Sequence, residues 1–268
     1  MVAHFYREWN RVAEVIGALS DEIIWLMVIY LGLIFGSFAT AVAWRVPRGK
    51  QFVTGRSHCP SCGHALGALD LLPVLSWVML RGKCRYCKTY FGWWYPAAEM
   101  VLTLFFCLIY NAVGIGGEAA ILAFASLCVV VAIVIDCEHR TIPNSVLLCV
   151  VGSLLSWRLI FEGGSAEIWF GLSLGLVLFF TSSRDLVIKK GLSCVSDVKV
   201  CGICVAVLSI EEISTFLFAV GVIGIITGLI WKQKRLKVTM PWGAIALASL
   251  VLALVLPAGG NAIIALVE

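Results

Sequence analysis

Charge is scarce in this chain. Only 13% of its 268 residues are Asp, Glu, Lys or Arg, against about a quarter in soluble domains, while 61% are apolar. That balance excludes an ordinary soluble globule and points to lipid as the solvent. The apolar runs lack alternating polarity, which excludes the strands of an outer-membrane barrel. No internal repeat, low-complexity tract or glycine-rich nucleotide loop is present. The start, MVAHFYREWNRVAEVIGALSDE, is polar and lacks the basic, apolar, small-residue order of a cleavable secretion signal.

What the chain does have is a series of apolar runs near the roughly 20 residues that a helix needs to cross about 30 Å of hydrocarbon. They cover 23–43, 97–115, 119–136, 145–161, 166–181, 197–209, 213–231 and 242–262, the sixth being short. The expected fold class is therefore an all-α polytopic membrane protein with about eight transmembrane helices. Gly221, Gly224 and Gly228 give the seventh span a small-residue face suited to close packing. Before the first span, Phe5, Trp9, Val12, Ile16 and Leu19 recur at steps of three and four, predicting an amphipathic helix over 1–22 on the outer surface.

Basic residues set the orientation, because cytoplasmic loops near span ends are rich in Lys and Arg. With the first span leading inward, 17 of the 20 basic residues fall inside, and only Arg7, Arg11 and Arg158 stay outside. The net charge of +4 is thus a topology signal, and no nucleic-acid partner is expected. The one sizeable polar region, 44–96, becomes a small cytoplasmic domain between the first and second spans. Within it LDLLPVLSWVML is too short to span and is interrupted by Pro73, which suggests a surface or re-entrant element.

That region holds Cys59-Pro-Ser-Cys62 and Cys84-Arg-Tyr-Cys87, two Cys-x2-Cys knuckles separated by 21 residues. The spacing suits tetrahedral thiolate binding of zinc. A pair of disulfides is the competing reading, disfavoured by the reducing cytoplasm in which the loop is placed. Four thiolates close the coordination sphere, so the zinc would be structural. His58 and His64 flank the first knuckle and read more simply as surface residues. The other seven cysteines, Cys107, Cys128, Cys137, Cys149, Cys194, Cys201 and Cys204, lie in or beside apolar spans and read mostly as small core residues.

Two acids stand at membrane edges, where burying a charge costs roughly 2.5–3.5 kcal/mol at a helix centre. Asp136 ends the run ILAFASLCVVVAIVI, at a helix C-terminus where the macrodipole opposes a negative charge. Capping is excluded there, leaving pairing with Arg140, interfacial solvation or chemistry. Pro143 then breaks the chain, and Asn144 or Ser145 is expected to cap the next helix. Asp197 begins its span and, alone, reads as a helix cap. Two spans intervene between the acids, so both return to one cytoplasmic face. Two carboxylates sharing a site can divide the labour of an aspartic protease, one ionised to deprotonate water and one protonated to polarise a carbonyl. A proton or ion relay would string its acids along a path, and these two sit at one face.

Several pieces taken together resemble the prepilin peptidases of type IV pilus and type II secretion systems, a family of intramembrane aspartic proteases. They are GSF at 36–38, WRVP at 44–47, the two knuckles, YPAAE at 95–99, IDCEHRTIPN at 135–144, SDVK at 196–199 and PWG at 241–243. The resemblance implies a multi-pass protein of the bacterial inner membrane, surrounded by membrane lipids, that cuts the basic leader from type IV prepilins or pseudopilins. The cut falls at the cytoplasmic face, after a glycine that precedes an apolar helix. It implies a catalytic dyad of Asp136 and Asp197 in a seven-helix peptidase domain over 97–268. Many members also methylate the new amino terminus with S-adenosylmethionine, an activity associated with the cysteine-bearing half. Where the family has Gly-x-Gly-Asp, this chain has Cys194-Val195-Ser196-Asp197, which removes backbone freedom. Activity is expected to survive because Asp197, Val198 and Lys199 remain. The alternative is a catalytically impaired relative acting as a pilus or secretion assembly factor. Lys199 is expected to reach the lipid interface.

Overall fold

The computed structural model describes residues 20–51, 55–139, 142–162 and 242–255, with 200, 208, 216–217, 219–223 and 225. Their continuous elements are α1 (Asp21–Arg45), a short α2 (Leu75–Met79), α3 (Trp94–Val113), α4 (Gly117–His139), α5 (Asn144–Trp157) and α6 (Trp242–Val255). Four stretches, Asp21–Arg48, Trp94–Val113, Gly117–His139 and Asn144–Phe161, are long and apolar enough to cross a membrane. They coincide with the first four expected spans. Of the other four, 166–181 lies outside the described residues, 197–209 and 213–231 are described only in fragments, and 242–262 is described through Val255. The helix expected over 1–22 also lies outside, apart from Ser20, Asp21 and Glu22, which open α1.

Helix boundaries follow local chemistry. Asp21 and Glu22 sit in the first turn of α1 and Arg45 in its last, each sign complementing the helix dipole. Helix α3 starts at Trp94, before the expected 97, because Pro96 falls in the first turn, where its missing N–H has no intrahelical partner to lose. The expected cap on α5 is corrected: Pro143 occupies the cap position and no side chain bonds there. Its carbonyl accepts from the N–H groups of Val146 and Leu147 at 3.1 and 3.3 Å, and its extended backbone starts the helix at Asn144.

Two glycines fix how α1 meets α3. A β-carbon on Gly32 would lie 2.6 Å from the Thr103 Cα, and one on Gly36 would lie 2.5 Å from the Glu99 Cα. Gly-x3-Gly on one helix thus receives the backbone of the other at residues spaced the same way, the close approach that small residues allow in membranes. By contrast, Gly221 meets nothing within 4 Å, while Gly224 and Gly228 lie outside the described residues. The apolar core joins Leu102 and Phe105 of α3, Val129 and Ile135 of α4, Leu147 and Leu154 of α5, and Leu250 of α6. Helix α1 turns Leu26, Tyr30 and Leu31 outward, as a lipid-facing helix would.

The cysteines of the spans are less buried than expected. Cys107 and Cys128 are half-buried and Cys137 and Cys149 exposed, because in a lipid solvent a small apolar side chain is stable on the outer face too. Cys194, Cys201 and Cys204 lie outside the described residues.

Candidate functional site

The two knuckles fold alike because each closes the same pair of hydrogen bonds. Gly63 N–H donates to the Cys59 carbonyl at 2.9 Å, and Cys59 N–H donates to the His64 carbonyl at 2.9 Å. In the second knuckle, Lys88 N–H donates to the Cys84 carbonyl at 3.1 Å and Cys84 N–H to the Thr89 carbonyl at 2.8 Å. Both turns need a left-handed residue, supplied by Gly63 (φ 70°) and by Lys88 (φ 61°). Turned this way, the sulfurs of Cys59, Cys62, Cys84 and Cys87 all lie within 4.8 Å of one another, with Cys59 and Cys87 at 3.8 Å.

A tetrahedral site with Zn–S near 2.3 Å places its sulfurs about 3.8 Å apart, so the four donors fit zinc in kind and spacing. Electrostatics agree. Hydrogen bonds with the Thr89 hydroxyl and backbone hold the Cys87 thiol down to about 6. At Cys62 a backbone hydrogen bond with His64 lowers the thiol, but burial and the neighbouring sulfurs outweigh it and push it up to about 11. Four sulfurs this close cannot all be thiolates unless a cation sits among them. The histidines do not join the cluster: His64 stacks on Tyr86 at 3.5 Å, and His58 meets the edge of Trp44 at 5.7 Å. The four cysteines are free, so disulfides are absent among them.

Asp70 braces the second knuckle, a role that the sequence did not disclose. Its carboxylate accepts from Arg85 Nε at 2.7 Å, from the Tyr86 hydroxyl at 3.3 Å and from Gly67 N–H at 3.1 Å. Burial raises its carboxyl, yet Arg85 and the other donors outweigh this and hold it below the usual carboxylate range. Arg45, buried at the end of α1, bonds the Gly55 and Arg56 carbonyls and so ties the module to the helix.

Between the end of α1, the cysteine module and the start of α3 lies a cavity of about 190 Å³, walled by Trp44, Trp77, Phe91 and Tyr95. Glu99 lines it and is only 7% exposed. Its carboxylate accepts from Val74 N–H at 2.6 Å and bonds the Ser37 hydroxyl. Val74 is held at φ 57° and ψ −49°, strained for a β-branched residue. The GSF and YPAAE pieces, far apart in sequence, thus converge on one carboxylate. An acid inside an apolar span was the available signal.

Asp136 lies in the last turn of α4 and is 2% exposed. Near it, Pro47 and Arg48 face His139, Ile142 and Pro143 across an open hollow, bringing the WRVP and IDCEHRTIPN pieces together. Tyr95 lies within electrostatic reach of Glu138 and Arg48, between this end of α4 and the cavity. Arg140, Cys194, Ser196, Asp197 and Lys199 lie outside the described residues.

Comparison with known proteins follows the same division. Residues 30–113 match the bacterial peptidase A24 N-terminal domain, and residues 122–229 match the type IV leader peptidase family. A prepilin leader peptidase/N-methyltransferase of Bacillus subtilis is 30% identical over 214 residues, 76% of this chain and 85% of the relative. A type 4 prepilin-like proteins leader peptide-processing enzyme of Escherichia coli is 28% identical over 238 residues, 79% of this chain and 86% of the relative. A prepilin leader peptidase/N-methyltransferase of Myxococcus xanthus is 38% identical over 135 residues, 50% of this chain and 39% of the relative. No solved structure matches the chain. Because the likeness runs through both halves and covers most of the Bacillus relative, the chain belongs to the prepilin leader peptidase family.

Proposed function

We propose that this protein cuts the basic leader from type IV prepilins or pseudopilins at the cytoplasmic membrane face, using Asp136 and Asp197 as an aspartate dyad, and methylates the new amino terminus. The observation that carries the peptidase reading is Asp136 itself: a carboxylate 2% exposed at the C-terminal end of an apolar helix, in a chain of this family. Such burial is costly without a function. Val200, three residues after Asp197, is buried in the same apolar core as Ile135, which supports a meeting of the two acids.

In this reading the ionised aspartate takes a proton from water, the hydroxide attacks the scissile carbonyl, and the protonated aspartate hydrogen-bonds the developing oxyanion. Two carboxyls sharing one site cannot both ionise freely, which maintains one acid and one base. Cys59, Cys62, Cys84 and Cys87 hold zinc as a structural ion and leave no position for substrate. S-adenosylmethionine is the proposed methyl donor, supported by the N-methyltransferase named in the relatives.

Asp136→Ala and Asp197→Ala, each co-expressed with a candidate prepilin, test the dyad. Both variants should insert in the membrane and leave the precursor uncut. Wild-type cleavage by either one overturns the assignment. The mass of the mature amino terminus from the wild-type reaction reads the cut site and the added methyl group together.

A further inference from the structure

We infer that the cavity beneath the cysteine module is the acceptor-amine pocket of the N-methyltransferase, with Glu99 binding the freed α-ammonium and taking its proton. This inference rests on the methyltransferase reading above and assigns it a place and a base.

Size and lining both select the ligand. About 190 Å³ is below the roughly 300 Å³ at which small-molecule pockets begin, so the cavity holds one amino-terminal residue and leaves the methyl donor to approach from its mouth. Trp44, Trp77, Phe91 and Tyr95 suit an apolar side chain, and aromatic faces also attract an ammonium. Of the cations on the lining, Arg85 is paired with Asp70 and Arg45 bonds two backbone carbonyls, while Lys83 is exposed. Asp70 already serves Arg85, Tyr86 and Gly67. Glu99 takes its hydrogen bonds from Val74 N–H and Ser37, both neutral partners. Tyr95 lies on the cavity wall and feels the charge of Glu138, two residues beyond Asp136.

The step balances. An α-ammonium, with an ordinary pKa of about 7.7–8.0, gives its proton to Glu99. The nitrogen lone pair forms a bond to the methyl carbon of the sulfonium donor, and the carbon–sulfur bond breaks with its electron pair remaining on sulfur. The secondary ammonium leaves, and Glu99 returns its proton to solvent.

Glu99→Gln in the full chain tests this, since glutamine keeps an oxygen for Val74 N–H but cannot serve as the base. With a prepilin that the wild type cuts, cleavage and zinc content should be unchanged while methylation slows by about 100-fold or more. A second readout needs no methyl donor: a synthetic peptide with the mature amino-terminal sequence of that prepilin should bind wild type about tenfold more tightly with a free amine than acetylated, and the variant should lose that preference. Methylation at the wild-type rate by the variant overturns the Glu99 assignment alone. Equal wild-type binding of the free and acetylated peptides overturns the pocket whether or not the variant folds. A wild-type chain that cuts without methylating overturns the inference together with the methyltransferase reading.

Discussion

Gly63 and Lys88 hold the same left-handed place in the two knuckles, yet only one is the residue that this backbone favours. A β-carbon on Gly63 would touch nothing within 4 Å, so the cost of Gly63→Ala is conformational, about 1 kcal/mol. Lys88→Gly removes that cost and should stabilise the module by up to about 1 kcal/mol. Thermal unfolding of the zinc-loaded protein should place the three chains in the order Lys88→Gly, wild type, Gly63→Ala. Asp70 supplies a prediction in pH. Its carboxyl lies below the ordinary value of 3.8, so the folded state favours the ionised form. That stabilisation is complete above the unfolded value and disappears as pH falls through the depressed folded one. Asp70→Asn should therefore lower stability at neutral pH and show a smaller further loss below about pH 4 than wild type, read as the difference between the two unfolding curves. The cysteine cluster was legible from spacing alone, because two local turns place the sulfurs. Asp70 was not, since its ion pair with Arg85 joins residues that no local periodicity relates.

At the scale of elements, apolar run length identified the first four spans to within a few residues, because hydrocarbon thickness sets that length independently of partners. Their packing was harder to read. The sequence drew attention to the glycines of the seventh span, whereas the shown close approach is at Gly32 and Gly36, since which glycine face is used depends on the opposing helix. Asn144 likewise looked like a cap until the Pro143 backbone took the position. The helix contact makes a sharp prediction: Gly36→Leu must push its side chain against the Glu99 backbone, parting α1 from α3 and destabilising the protein by about 1–3 kcal/mol. Gly152→Ala is the control, because a β-carbon there meets nothing within 4 Å and alanine gains up to about 1 kcal/mol of helix propensity. Thermal inactivation of prepilin cleavage in lipid nanodiscs should come at lower temperature for Gly36→Leu and no lower for Gly152→Ala. Equal curves for Gly36→Leu and wild type would remove the close contact.

Across the whole molecule, two kinds of stabilisation meet at the end of α1. The helices hold one another through a continuous apolar core from Leu102 to Leu250, whereas the module between α1 and α3 has few buried side chains beyond Cys59 and Cys84. So small a core cannot order some fifty residues unaided, and the proposed metal–thiolate bonds would supply the difference. Metal removal should therefore divide the molecule. A strong chelator at neutral pH should expose 55–92 to limited proteolysis while far-UV circular dichroism retains the signal of the membrane helices. Acid should quicken the metal loss, because zinc needs thiolates and protons compete for them. Cys62→Ser and Cys87→Ser should each weaken the metal affinity, measured by competition with a chelating dye at pH 7. Unchanged affinity in either variant would remove that sulfur from the ligand set. Loss of the helical signal along with the metal would show that the module also holds the membrane bundle together.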